Sequence, residues 1–91
     1  MEFYTHQDIQ YQLADKIVAI RKQKKLTQKQ MAKKSDIPLS TYARIEQLGE
    51  GSLKDFSKIL IALDRADEIS KILIVSEQTP TEVYEKMKAK Q

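Results

Sequence analysis

The chain has 91 residues, 41% hydrophobic and 32% charged, with two glycines and two prolines, a mixture that fits one helical domain and excludes both a disordered chain and a turn-dense β architecture. It has no cysteine, which removes disulfide scaffolds, thiolate metal sites and cysteine nucleophiles and suits a reducing cytosol, so a soluble cytoplasmic protein is expected. The net charge is only +3, but residues 16–34 carry eight cations and no acid while residues 44–68 carry four cations against six acids. Such a one-sided basic region suggests a polyanion partner or, equally, a solvated face.

No apolar run approaches the roughly 20 residues of a membrane span, and no signal-peptide core is present, so neither membrane insertion nor secretion is expected. A first helix starts near Thr5, which has cap-box spacing to Asp8, and runs to about Lys24 with Leu13, Ile17 and Ile20 as its inward stripe. His6, the only histidine, sits at its start without clustered ligands and reads as a surface or cap residue. Thr27 and Gln30 repeat the cap-box spacing and open a second helix, about residues 28–34, with Met31 and Ala32 inward. "SDIP" then ends it, because Ser35 and Asp36 favour turns and Pro38 keeps Ile37 out of helical dihedrals while suiting the start of a new helix.

The third helix, about residues 39–47, has Tyr42 and Ile45 as its inward pair, which leaves Ser40, Ala43, Arg44 and Gln47 on the opposite face. "LGEG" closes it with two glycines suited to left-handed backbone. Ser52 and Asp55 open a fourth helix whose core residues are Leu53, Phe56, Ile59, Leu60 and Leu63. A fifth helix is expected after "DRAD", with Ile69, Ile72, Leu73 and Val75 apolar, and a sixth after "TPTE", where Thr79 caps and Val83, Tyr84 and Met87 are the apolar set. The fold expected is all-α, five to six helices, with residues 1–76 as one domain and residues 77–91 as a short C-terminal helical extension.

A helix, a short turn and a second helix with a small polar outer face, spanning residues 27–47, is a helix-turn-helix arrangement. The major groove admits one helix, so the reading helix needs short side chains and a few reaching donors, which the third helix has. The N-terminal amides of the second helix and Gln28 can meet a phosphate, while Lys29, Lys33 and the Lys22, Lys24, Lys25 group can neutralise backbone charge. Arg44 is the candidate for a bidentate guanine contact, with a surface salt bridge as its alternative.

"LTQKQMA", "SDIP" and "STYARIE" resemble the phage-repressor, or Cro-like XRE, helix-turn-helix family over residues 13–63. The resemblance implies double-stranded DNA binding, with Gln28 on phosphate and Leu39, Ser40 and Arg44 facing bases. It also implies a structural pair between Arg21 and Glu46. Asp36 stands where that family usually has glycine, and Pro38 where it usually has a hydroxyl cap.

A single small reader selects few base pairs, so a homodimer on two half-sites is expected. Ile69, Ile72, Leu73, Val75, Val83, Tyr84 and Met87 either cover a mate or pack back on the chain's own core. The compact build with "GEGSLKDF" is similar to HipB-like antitoxins, which implies a possible toxin partner and repression of the chain's own promoter. The alternatives are a phage or host regulator without a toxin, or a helical interaction module without DNA binding. No phosphate loop, carboxylate pair, Ser/His pair or ligand-spaced His/Cys set is present, so neither catalysis nor a cofactor is expected.

Overall fold

The computed structural model describes residues 5–76 together with Glu85, Met87 and Lys88. Over residues 5–76 four α-helices follow one another, α1 (His6–Gln23), α2 (Gln28–Ser35), α3 (Leu39–Leu48) and α4 (Leu53–Ala62), and a 3-10 segment (Ala66–Lys71) comes after them. Helix α3 packs against α1 and α2, α2 also packs against α4, and α4 carries the 3-10 segment.

The starts of three helices are set by hydroxyl caps. Thr5 and Thr27 each form a complete capping box, with Asp8 and Gln30 reaching back to the cap amide. Ser52 accepts from the Asp55 amide at 3.0 Å, which satisfies one of the orphan donors of α4. Helix α3 begins instead at Pro38, with no side-chain cap, and its first backbone bond runs from the Tyr42 amide to the Pro38 carbonyl at 2.9 Å. The fixed φ of proline supplies the entry geometry that a hydroxyl would otherwise stabilise.

The bend between α2 and α3 is made by Asp36 in the left-handed region, φ 58° and ψ 47°. Aspartate tolerates that conformation better than most residues. Its cost is offset by two backbone bonds, Asp36 to Lys33 and Ile37 to Ala32, and by Lys58, whose ammonium donates to the Asp36 carbonyl at 3.2 Å. Ile37 then turns inward to 5% exposure, so the turn itself is fastened to the core.

That core contains Ile17, Met31, Ala32, Ile37, Tyr42, Ile45, Ile59, Ala62 and Leu63, with Ile20, Leu26 and Phe56 packed at its margin. Several expected positions differ. Leu13 is 40% exposed and Ala14 is buried in its place, because the inward stripe of α1 runs Ala14, Ile17, Arg21. Leu53, the first residue of α4, is 78% exposed, and the buried residues of that helix are Ile59 and Ala62 near its other end. Of the two glycines only Gly49 takes a left-handed φ, of 69°; the constraint at Gly51 is space, because a Cβ there would stand 2.8 Å from Ile45 Cγ1.

The fifth helix is only the six-residue 3-10 segment, after which Ile72 is extended and Leu73 has φ 52°. Leu73 is 90% exposed and Val75 half exposed, whereas Ile69 and Ile72, also about half exposed, line a groove with Phe56 and Leu60 at the margin of this core. With so little apolar surface to bury, a short α-helix here has little to stabilise it beyond propensity. The expected cap at Thr79, together with Val83 and Tyr84, lies outside the described residues, whereas Met87 is helical and exposed.

Tyr42 is completely buried, and its hydroxyl has no hydrogen-bond partner among the described residues. Burial first, and then the neighbouring Glu46 carboxylate, hold the phenol well above its ordinary range. An unsatisfied buried hydroxyl costs about 1–3 kcal/mol. Tyr42→Phe is therefore expected to leave stability unchanged or to raise it, and a urea midpoint below wild type would contradict this.

Candidate nucleic-acid interface

Helix α3 is anchored by Tyr42 at 0% exposure, Ile45 at 6% and Glu46 at 9%. Its other face is open: Ser40, Arg44 and Gln47 are exposed, Ala43 is half-buried, and Leu39 at the first turn is 46% exposed. The row thus offers one hydroxyl, one guanidinium and one amide on a helix with no bulky aromatic on its outer side, a profile that fits a groove and reads base edges through donors.

A buried polar cluster fixes how α3 sits. Arg21 Nε donates to Glu46 Oε2 at 2.7 Å, Arg21 Nη2 to Glu46 Oε1 at 3.2 Å, and Arg21 Nη1 to the Leu26 carbonyl at 2.7 Å. Gln28 Nε2 adds a third bond to the carboxylate, on Oε1 at 2.9 Å. Two elements therefore converge on Glu46, the end of α1 through Arg21 and the first residue of α2 through Gln28, while the α1–α2 turn holds Arg21 through the Leu26 carbonyl. This is a bidentate fork of the kind arginine makes best.

Gln28, expected to touch phosphate, spends its amide on Glu46 in this arrangement. Its remaining contribution to a phosphate is the second amide proton and the backbone at the α2 N-terminus. Lys22, Lys24, Lys25, Lys29 and Lys33 are all exposed, as a phosphate-facing set requires. Lys25 sits at φ 58°, in a turn held by the Arg21 bond to Leu26, so the buried pair that positions α3 also positions the basic turn.

Burial alone would raise the Glu46 carboxyl, but the Arg21 donors, the Gln28 donor and the arginine charge outweigh it and hold the group below its ordinary 4.5. A carboxyl depressed in the fold stabilises fully above its unfolded value, and that stabilisation is lost as pH falls through the folded value. The acid limb of a stability-versus-pH curve should therefore steepen below about pH 4.5, and Glu46→Gln should flatten it. Thermal melts of both proteins across the acid range give the comparison.

Arg44 does not stand free. Its Nε donates to Glu50 Oε1 at 3.0 Å and its Nη2 lies 2.8 Å from the same oxygen. Both side chains are more than half exposed, at 65% and 52%, so the pair itself stabilises the fold little. The surface salt bridge weighed for Arg44 is formed, and its partner Glu50 was not foreseen. The available signal was an acid placed directly after the glycine that ends α3, where a left-handed residue folds the chain back beside the last turn.

Among the described residues no group of His, Cys, Asp and Glu side chains could hold a metal ion, and no helix is long and apolar enough to cross a membrane. Two shallow grooves flank α1. One, of about 260 Å³, runs beside the α3–α4 loop, and one, of about 200 Å³, is lined by Leu13, Ile20, Phe56, Leu60, Ile69 and Ile72.

Comparison with known proteins finds a family model described as helix-turn-helix that matches residues 17–79, a span containing the whole of α2, the turn, α3, α4 and the 3-10 segment. No curated protein and no solved structure matches the chain significantly.

Proposed function

We propose, given that the chain belongs to the helix-turn-helix family of phage-repressor (XRE) type, that it represses transcription as a homodimer bound to an operator in double-stranded DNA. Sequence-specific DNA binding by a transcription regulator is what that family does. The observation that carries the reading here is the split character of α3, with Tyr42 and Ile45 sealed in the core while Ser40, Arg44 and Gln47 face outward.

In this reading Arg44 forks onto guanine, Ser40 and Gln47 take neighbouring base edges, and Ala43 and Leu39 offer apolar contact to a thymine methyl. Lys22, Lys24, Lys25, Lys29 and Lys33, with the Gln28 end of α2, lie along phosphates and set the register. Two half-sites about one helical turn apart, roughly 34–36 Å, would each receive one α3.

The second copy is favoured by an apolar strip that the described residues cover only in part, Ile69 at 43% exposure, Ile72 at 54% and Leu73 at 90%. Met87, also exposed, and Val83 and Tyr84 of the extension are assigned to the same contact. A further partner, the toxin of a toxin-antitoxin operon held in the cytoplasm, is supported by the resemblance of the compact build with "GEGSLKDF" to HipB-like antitoxins. Light scattering of the purified chain tests the dimer, and co-purification with the product of the neighbouring gene tests the toxin.

Selecting bound fragments from genomic DNA identifies the operator, and a salt titration on it tests the mechanism. Affinity should fall steeply with salt. Replacing Lys22, Lys24 and Lys25 by Gln should flatten the log–log slope by about 0.9 for each phosphate no longer neutralised, with specific and nonspecific duplexes weakened alike. Binding indifferent to salt would overturn the reading.

A further inference from the structure

We propose that Glu50 is a positioning residue for Arg44, holding the guanidinium by its Nε edge so that the terminal edge is presented to a base. The inference rests on the DNA-binding reading above and adds to it a determinant of specificity outside α3.

A guanidinium has two edges that can form a bidentate fork, one made by Nε with Nη2 and one made by Nη1 with Nη2. Glu50 Oε1 accepts on the first edge, 3.0 Å from Nε and 2.8 Å from Nη2. Among the described residues Arg44 has no other hydrogen bond or ion pair, so the terminal edge keeps its donors for guanine O6 and N7. The carboxylate thus removes one of two competing ways for the arginine to meet a base and restrains a long, many-rotamer side chain before DNA arrives.

The loop that carries Glu50 is itself fastened on both sides. Gly49 closes α3 in the left-handed region through a 2.8 Å bond to the Ile45 carbonyl, and a Cβ there would stand 2.6 Å from the Gln10 carbonyl oxygen. Gly51 is pressed against Ile45. With each glycine against the body, Glu50 between them has a fixed backbone and an exposed side chain. A mobile loop could not orient an arginine; this one can.

The placement also carries a consequence of opposite sign. A carboxylate beside the reading face repels phosphate on any duplex, so Glu50 weakens sequence-independent binding while sharpening choice. Its removal should separate these two effects.

The test compares the full-length wild type, Glu50→Ala, Glu50→Gln, Arg44→Ala and the double variant Arg44→Ala/Glu50→Ala on the selected operator and on a scrambled duplex. Glu50→Ala should bind the scrambled duplex more tightly. Its operator-to-scrambled ratio should fall about three- to tenfold, because an exposed pair contributes little per subunit and the operator engages two. Glu50→Gln, which keeps an accepting oxygen, should lose less of the ratio. In the Arg44→Ala background, removing Glu50 should leave the ratio where it is. Melting temperatures should not move, which separates positioning from folding.

An unchanged ratio in Glu50→Ala, or an equal fall in the Arg44→Ala background, would overturn the role of Glu50 alone. A wild type without preference for any duplex would overturn the DNA-binding reading and this inference together. The arginine Nε–H signal of Arg44 gives a readout without DNA: in the free protein it should broaden or lose order in Glu50→Ala, and no change there would also count against the proposal.

Discussion

Glu46→Ala is expected to lower the unfolding free energy by about 3–5 kcal/mol, because it strips a buried arginine of its counter-charge and leaves the cation enclosed. Arg21 keeps only the Leu26 carbonyl in that variant, with its side chain 11% exposed. A domain of this size has about 5–15 kcal/mol in total, so a fall in Tm of about 10 °C or more should follow. The free amide of Gln28 adds to the loss, since its acceptor disappears with the carboxylate.

Two comparisons isolate the cause. Glu46→Gln retains one oxygen for Arg21 and should cost less than the alanine. The pair Arg21→Met with Glu46→Leu, which removes both charges and fills the space, should recover much of the stability, because a buried ion pair is costly to break and cheap to replace. A Glu46→Ala melt within about 2 °C of wild type would show that the cluster does not hold α3.

The second large effect concerns recognition. Arg44→Ala should reduce the preference for the operator over scrambled DNA by about 1–3 kcal/mol per half-site, and so up to about twice that in a dimer. Binding to scrambled DNA should change much less, because the lysines that meet phosphate are untouched. Its stability cost should be small, since the Glu50 pair it breaks is exposed on both sides. Titration of wild type and variant on both duplexes at one salt concentration measures the ratio, and a ratio unaltered by the substitution would remove Arg44 from the reading set.

The two experiments probe the two halves of one device. Glu46 faces inward and bonds α3 to α1 and α2; Arg44, two residues earlier and about 200° round the helix, faces outward, where the proposed DNA contact lies. Their chemistry is alike in kind, each an arginine–glutamate pair, but burial separates their consequences. The inward pair has side chains 11% and 4% exposed, and the outward pair 65% and 52%. The first belongs to stability, and the proposed reading of bases rests on the second.

Local rules carried the sequence a long way. Thr5, Thr27 and Ser52 mark helix starts because a hydroxyl three residues ahead of an amide is a contact within one turn, readable without knowing the rest of the chain. The bend at Asp36 and Pro38 and the inward pair Tyr42 and Ile45 follow in the same way, from dihedral preference and from helical period. The Thr27 cap, the bend and the inward pair define the helix-turn-helix arrangement over residues 27–47, while the family was legible through the resemblance of "LTQKQMA", "SDIP" and "STYARIE".

What the sequence could not determine was which apolar residues the assembled core would accept. Leu13 and Leu53 satisfy the helical period yet stay exposed, and Ile72 and Leu73 follow a helix that shortens to a 3-10 segment. Periodicity reports which residues share a face, but only the meeting of α1, α2, α3 and α4 decides which part of that face is covered. The partners of Gln28 and Arg44 were hidden for the same reason. Glu46 lies 18 residues from Gln28, and Glu50 reaches Arg44 only because a left-handed glycine turns the chain back. Contacts across a turn of helix are written in the local sequence; contacts across a fold are set by three-dimensional packing, where many spacings compete for the same space.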